Sequence, residues 1–169
     1  VDQWQDVRQV WGNSLRPIPE DLIPPTASAG SKAFLTQVGL PAEHPLDLAF
    51  YFDDRLLKRV TQGGADYFAF GEDGGVVLLA TEAGRDEVID LQPDGSGMFI
   101  NSSIADFVYS YGVFAQREER ILELPHDERG PLIGEVRDLI DTRDPEALDP
   151  DGWLSWWDAL LEPYEGEVG

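Results

Sequence analysis

Apolar and polar positions follow two different rhythms along this chain, and the change of rhythm divides it into elements. From Asp2 to Trp11 the apolar residues Trp4, Val7, Val10 and Trp11 recur at helical spacing, and Gly12-Asn13 follows as a stop, which predicts a short first helix. Leu15 to Pro25 carries Pro17, Pro19, Pro24 and Pro25, which deny helix hydrogen bonds and central strand positions. This stretch reads as an extended surface connector, with Leu22 and Ile23 free to dock locally. A second helix is predicted from a Ser31 cap through Val38, with Phe34, Leu35 and Val38 inward, Gly39 at a left-handed exit and Pro41 just past it.

Between Leu46 and Ile100 the rhythm becomes that of strands and turns. Leu48–Phe52, Tyr67–Phe70, Val76–Ala80, Glu87–Leu91 and Gly97–Ile100 are short runs rich in aromatic and branched residues. Gln62-Gly63-Gly64, Glu72-Asp73-Gly74-Gly75, Glu82-Ala83-Gly84-Arg85 and Pro93-Asp94-Gly95-Ser96 read as the turns between neighbouring strands of an antiparallel meander. Helical spacing then returns. Asn101-Ser102-Ser103 offers capping side chains to a helix with Ile104, Phe107, Val108, Tyr111 and Ala115 on one face. Another helix is predicted over 131–143, opening at Pro131, where the missing amide hydrogen costs nothing. A last one covers 152–161, where Trp153, Trp156, Trp157, Leu160 and Leu161 form one apolar stripe. The expectation is an α+β fold in which helices flank a central antiparallel sheet of five or six strands. It is a single domain over residues 1–162, with 163–169 an acidic tail.

Composition supports a folded chain: 169 residues, 42% of them hydrophobic, with five Trp, eight Phe and five Tyr, can bury a core without staples. The absence of cysteine excludes disulfides, thiolate metal sites and a thiol nucleophile. No apolar run approaches a membrane helix, and Val1-Asp2-Gln3-Trp4-Gln5-Asp6 lacks the basic start and apolar stretch of a signal peptide, so a cytoplasmic location is expected.

Charge changes the picture most. Thirty-three Asp and Glu stand against 12 Lys and Arg, a net charge of −21. Such a field repels nucleic acid and attracts a cationic partner, although solubility alone also favours acidity.

Candidate chemistry is sparse. His44 and His126 each lie beside a proline, and neither has a second histidine at metal-binding spacing. The carboxylate pairs Asp53-Asp54, Glu72-Asp73, Asp86-Glu87 and Asp127-Glu128 would serve a hydrolase only if they converged in one cleft, and a chain this acidic has adjacent pairs by chance. Ser102-Ser103 lacks a nucleophile elbow and reads as a cap. No catalytic, cofactor or metal residues are assigned. The candidates for partner binding are Asp53, Asp54, Glu72 and Asp73 near the sheet turns, with Trp153, Trp157 and Asp158 on the last helix. There an exposed tryptophan ringed by acids would make an anchor for a basic partner. The stripe leaves open whether these tryptophans are core or interface.

Three stretches in sequence carry a family likeness: Phe34-Leu35-Thr36-Gln37-Val38-Gly39-Leu40-Pro41, Tyr67-Phe68-Ala69-Phe70-Gly71-Glu72-Asp73-Gly74-Gly75, and Phe99-Ile100-Asn101-Ser102-Ser103-Ile104-Ala105-Asp106-Phe107. With them the block 33–115 resembles the SUKH superfamily of bacterial immunity proteins, related to the yeast cell-wall assembly regulator domain, and most of all its fourth group. The proline-rich connector and the Trp-rich helix fall outside the likeness. The resemblance implies an α+β fold without catalytic activity that binds and neutralises a cognate toxin, often a nuclease or nucleic-acid deaminase. It assigns no functional residue. The alternative function on the same fold is a cytoplasmic adaptor or regulatory scaffold.

Overall fold

The computed structural model describes residues 2–43, 48–52, 58–148 and 155–165, without the side chains of Lys58 and Arg59. Helix α1 (Gln5–Trp11) buries Val7 and Trp11 and ends at Gly12, the predicted stop, whose φ is 59°. The connector that follows runs over the surface as predicted, with Arg16, Pro17, Pro19, Glu20, Asp21 and Pro25 exposed, but it is anchored at more points than Leu22 and Ile23. Strand β1 (Leu15–Arg16) pairs antiparallel with β2 (Leu40–Pro41), the Ile18 amide donates to the Leu35 carbonyl, and Ile18 and Ile23 are both buried. The prolines leave only short structure here, β1 and a 3-10 turn at Glu20–Leu22, but the apolar residues between them still reach the core.

Helix α2 (Ala29–Gln37) is capped by Ser28, not Ser31. Ser28 holds extended backbone (φ −60°, ψ 155°), and its hydroxyl accepts from the Ser31 amide, so Ser31 lies buried in the first turn. At its exit Gly39 has φ 91°, and a Cβ there would stand 1.9 Å from the Arg16 carbonyl oxygen. Only glycine lets β1 and α2 approach so closely.

Six strands form the antiparallel sheet: β3 (Leu48–Phe50), β4 (Lys58–Gln62), β5 (Ala65–Asp73), β6 (Val77–Glu82), β7 (Val88–Leu91) and β8 (Gly97–Asn101). From β4 to β8 the strands pair in sequence. β3 returns to the same edge as β4, lying beside residues 71–73 of β5 while β4 lies beside 65–69. A bulge between Ala69 and Gly71 separates the two halves of β5. β4 itself was not among the predicted strands, although its turn at 62–64 was. β5 also runs past its predicted end, so Glu72 and Asp73 are strand residues, and Gly74, Gly75 and Val76 make the turn. The sheet curls enough that the Gln62 Oε1 lies 3.2 Å from where a Cβ on Gly95, in the β7–β8 turn, would stand.

One face of the sheet carries Phe68, Phe70, Leu79, Val88 and Ile100 and packs on α3 (Ile104–Glu123) through Ile104, Phe107, Val108, Tyr111 and Phe114. Phe107 is the hub of this core, in ring contact with Phe50, Phe70, Tyr111, Trp156 and Trp157. The other face has a smaller cluster of its own, Ala69, Ala80 and Leu91, with Tyr51, Val60, Tyr67, Leu78 and Ile89 around it. α4 (Gly130–Arg143) opens with Pro131 near its start, as predicted, and packs beside α3. Between them Arg129 is buried, its guanidinium donating to the Leu122 and Leu124 carbonyls and so closing the end of α3.

Helix α5 (Trp156–Glu165) continues past the predicted end at Leu161, through Pro163, into the stretch read as an acidic tail. Tyr164 packs its ring on Phe114 at 5.2 Å, and Glu165 pairs with Arg137, contacts that hold the last turn in place. None of the described helices is long and apolar enough to cross a membrane.

Candidate partner-binding surface

Most of the chain's described cations are engaged internally. Arg8 pairs with Asp2, Lys32 with Glu20, Arg85 with Glu82, Arg117 with Glu135, Arg137 with Asp158 and Glu165, and Arg143 with Asp6 and Asp106. Arg129 is committed to helix carbonyls, and Arg16 lies over the Phe52 ring at 5.0 Å. Exposed carboxylates such as Asp21, Glu119, Glu123, Asp127, Asp141 and Glu162 therefore face solvent with no ion pair among the described residues. The net −21 is thus expressed outward, where a partner meets it.

The predicted binding residues separate in the structure. Asp53, Asp54, Trp153 and His44 lie outside the described residues. Glu72 is half-buried on β5 and accepts a 2.7 Å hydrogen bond from the Tyr51 hydroxyl; burial, then this carboxylate, pushes the Tyr51 phenol up. Asp73 ends β5 beside the β5–β6 turn, whose Val76 is 65% exposed. Asp158 is tied into the helical layer, accepting from Arg137 Nε at 3.0 Å and from the Ser155 hydroxyl.

Trp157 does not fit an exposed anchor. It is fully buried, T-shaped against Trp156 and tilted against Phe107, and its indole donates to Asn101 Oδ1 at 3.0 Å. Of the described acids near it in sequence, Asp158 is tied to Arg137 and Ser155 and Glu162 faces solvent.

The Asn101-Ser102-Ser103 stretch divides its labour. Ser103 caps α3, accepting from the Asp106 amide and donating to the Asp106 carboxylate. Ser102 does not cap; its amide and hydroxyl donate to buried Asp144, at 2.8 and 2.6 Å, and Asn101 Nδ2 donates to the same carboxylate at 2.9 Å. Asn101 thus links Asp144 to Trp157, joining β8, the end of α4 and α5. Asp90, also buried, accepts from Trp156 Nε1 and Gln92 Nε2 with no cation beside it among the described residues, and burial pushes its carboxyl up. No group of three or more His, Asp or Glu is arranged to hold a metal among the described residues.

Sequence reasoning missed a cavity of about 220 Å³ where α1, α2, α3 and the β6–β7 loop meet. Trp4, Phe34 and Ile104 form its apolar walls, and Gly30, Ser31 and Asp86 its polar side. Asp86 was visible only as half of an acidic pair; its proximity to α2 is a tertiary feature with no local signal.

The model of the SUKH-4 immunity proteins matches residues 4–163. The chain belongs to the SUKH-4 immunity protein family. The match takes in the proline-rich connector and the Trp-rich stretch 152–161, both of which the sequence likeness had left outside, and this agrees with the burial of Ile18, Ile23, Trp156 and Trp157 in the common core. Membership implies a toxin-neutralising role. No curated protein and no solved structure matches the chain.

Proposed function

We propose that this SUKH-4 protein is a non-catalytic, cytoplasmic antidote that binds a basic toxin, of the nuclease or nucleic-acid deaminase kind, and blocks it stoichiometrically. The observation that carries this reading is the outward charge. The chain's own carboxylates occupy Arg8, Lys32, Arg85, Arg117, Arg137 and Arg143, which leaves an acidic surface to meet a partner. An enzyme that grips phosphate presents clustered Lys and Arg, and an acidic protein of this kind complements that same surface. The SUKH-4 match supports the toxin as partner, and the charge supports its being basic.

Co-expression provides the test. A host producing the toxin encoded beside this gene is expected to survive when it also makes this protein, and the purified pair is expected to form a one-to-one complex. Continued killing, with no complex formed by any neighbouring gene product, would overturn the reading.

A further inference from the structure

We infer that the cavity between α1, α2 and α3 is a socket for a cationic side chain, a lysine or arginine presented by the toxin. This rests on the antidote reading and goes further by naming where one contact is made and with what chemistry.

The walls suit such a guest. Trp4 stands edge-on to Phe34, with ring centroids 5.6 Å apart, and Ile104 completes an apolar wall for an aliphatic stem. On the polar side Asp86 is exposed, and no cation of the described chain meets it. Its one described hydrogen bond is from the Ser28 hydroxyl to Oδ1 at 2.5 Å, which leaves Oδ2 for a guest. Gly30 makes room for this carboxylate: a Cβ there would stand 3.2 Å from Asp86 Oδ1. Ser31 is buried at the cavity, and its hydroxyl has no hydrogen-bond partner among the described residues. An unpartnered buried hydroxyl costs free energy that a donor from outside would recover.

The helix starts nearby oppose a cation only weakly. Each already holds a carboxylate of the chain itself, Asp86 at α2 and Asp106 at α3, and these offset the positive ends of the two dipoles. An anion would instead meet Asp86 directly.

The test follows the Trp4 indole and Gly30 amide signals by NMR during titration of the whole protein with N-acetyl-arginine methylamide, with the neutral citrulline analogue as control. Saturable shifts confined to this cavity are expected, about tenfold weaker for citrulline and about tenfold weaker for Asp86→Asn, which keeps an acceptor for Ser28. Ser31→Ala is expected to weaken the probe several-fold without lowering Tm, because its hydroxyl holds nothing in the fold. Absence of saturation, or equal response to citrulline, would overturn the socket. In co-expression, full rescue by Asp86→Asn would count against the socket while leaving the antidote reading intact. Cavity binding of the arginine probe without any rescue by the wild type would do the reverse.

Discussion

Asp90 shows what a single buried carboxylate costs this fold. It faces the helices from β7 and is held by two neutral donors, Trp156 and Gln92, with burial raising its pKa above the usual 3.8. A raised folded-state pKa means that ionisation is harder in the folded chain than in the unfolded one. The penalty is absent below pH 3.8, grows as pH rises through that value and is complete above the folded-state pKa. Asp90→Asn keeps an acceptor for Trp156 and removes the charge, and Gln92 can turn its amide to suit. It is expected to raise Tm at pH 7, with the gain over wild type shrinking to nothing in melts below pH 3.8; a gain unchanged at low pH would contradict this. Asp144 is the opposite case, because it satisfies three donors at once. Asp144→Ala leaves the Ser102 amide unpartnered and Asn101 Nδ2 with only its long 3.4 Å bond to the Ser110 hydroxyl, and is expected to cost about 3 kcal/mol in denaturant unfolding, whereas Asp144→Asn retains most of the stability. Neither role was legible in the sequence. The capping reading of Ser103 needed only local spacing, while the bond from Ser102 to Asp144 spans the whole of α3 and α4 and depends on their packing.

Among the elements, α3 organises the rest, and α1 reaches it through one glycine. A Cβ at Gly112 would stand 2.2 Å from Val10 Cγ1 and 2.6 Å from Trp11 Nε1, the indole that donates to the Val108 carbonyl. Gly112→Ala gains helix propensity but forces α1 away, and a net loss of about 1–3 kcal/mol is expected from urea unfolding. Helices and most strands could be read from the chain because their apolar positions repeat at the right period. β4 escaped because Lys58-Arg59-Val60-Thr61-Gln62 holds one apolar residue, Val60, and its strand character comes from pairing with β5. The cap of α2 was displaced by one turn because Ser28 and Ser31 are chemically equal candidates, and only backbone geometry selects Ser28. The apolar stripe stops at Leu161 and acids follow it, yet the contacts of Tyr164 and Glu165 carry α5 past Pro163. The Trp stripe of that helix was equally ambiguous, since an apolar stripe has the same spacing whether its partner is Phe107 or another protein.

At the scale of the whole molecule, acidity and fold play separate parts. The core shared by the sheet, α3 and α5 holds the chain together, and the carboxylates that do not neutralise its own cations make the external field. That field was legible in composition, but its outward direction was not, because it depends on which acids pair with Arg137, Arg143 and the other cations. A field of this kind raises the encounter rate with an oppositely charged partner and is screened by salt. The most direct measurement is the association rate of this protein with the toxin encoded beside its gene, followed from about 50 to about 500 mM salt. The account predicts a fall of about tenfold or more across that range with a much smaller change in the dissociation rate. An association rate indifferent to salt would contradict it.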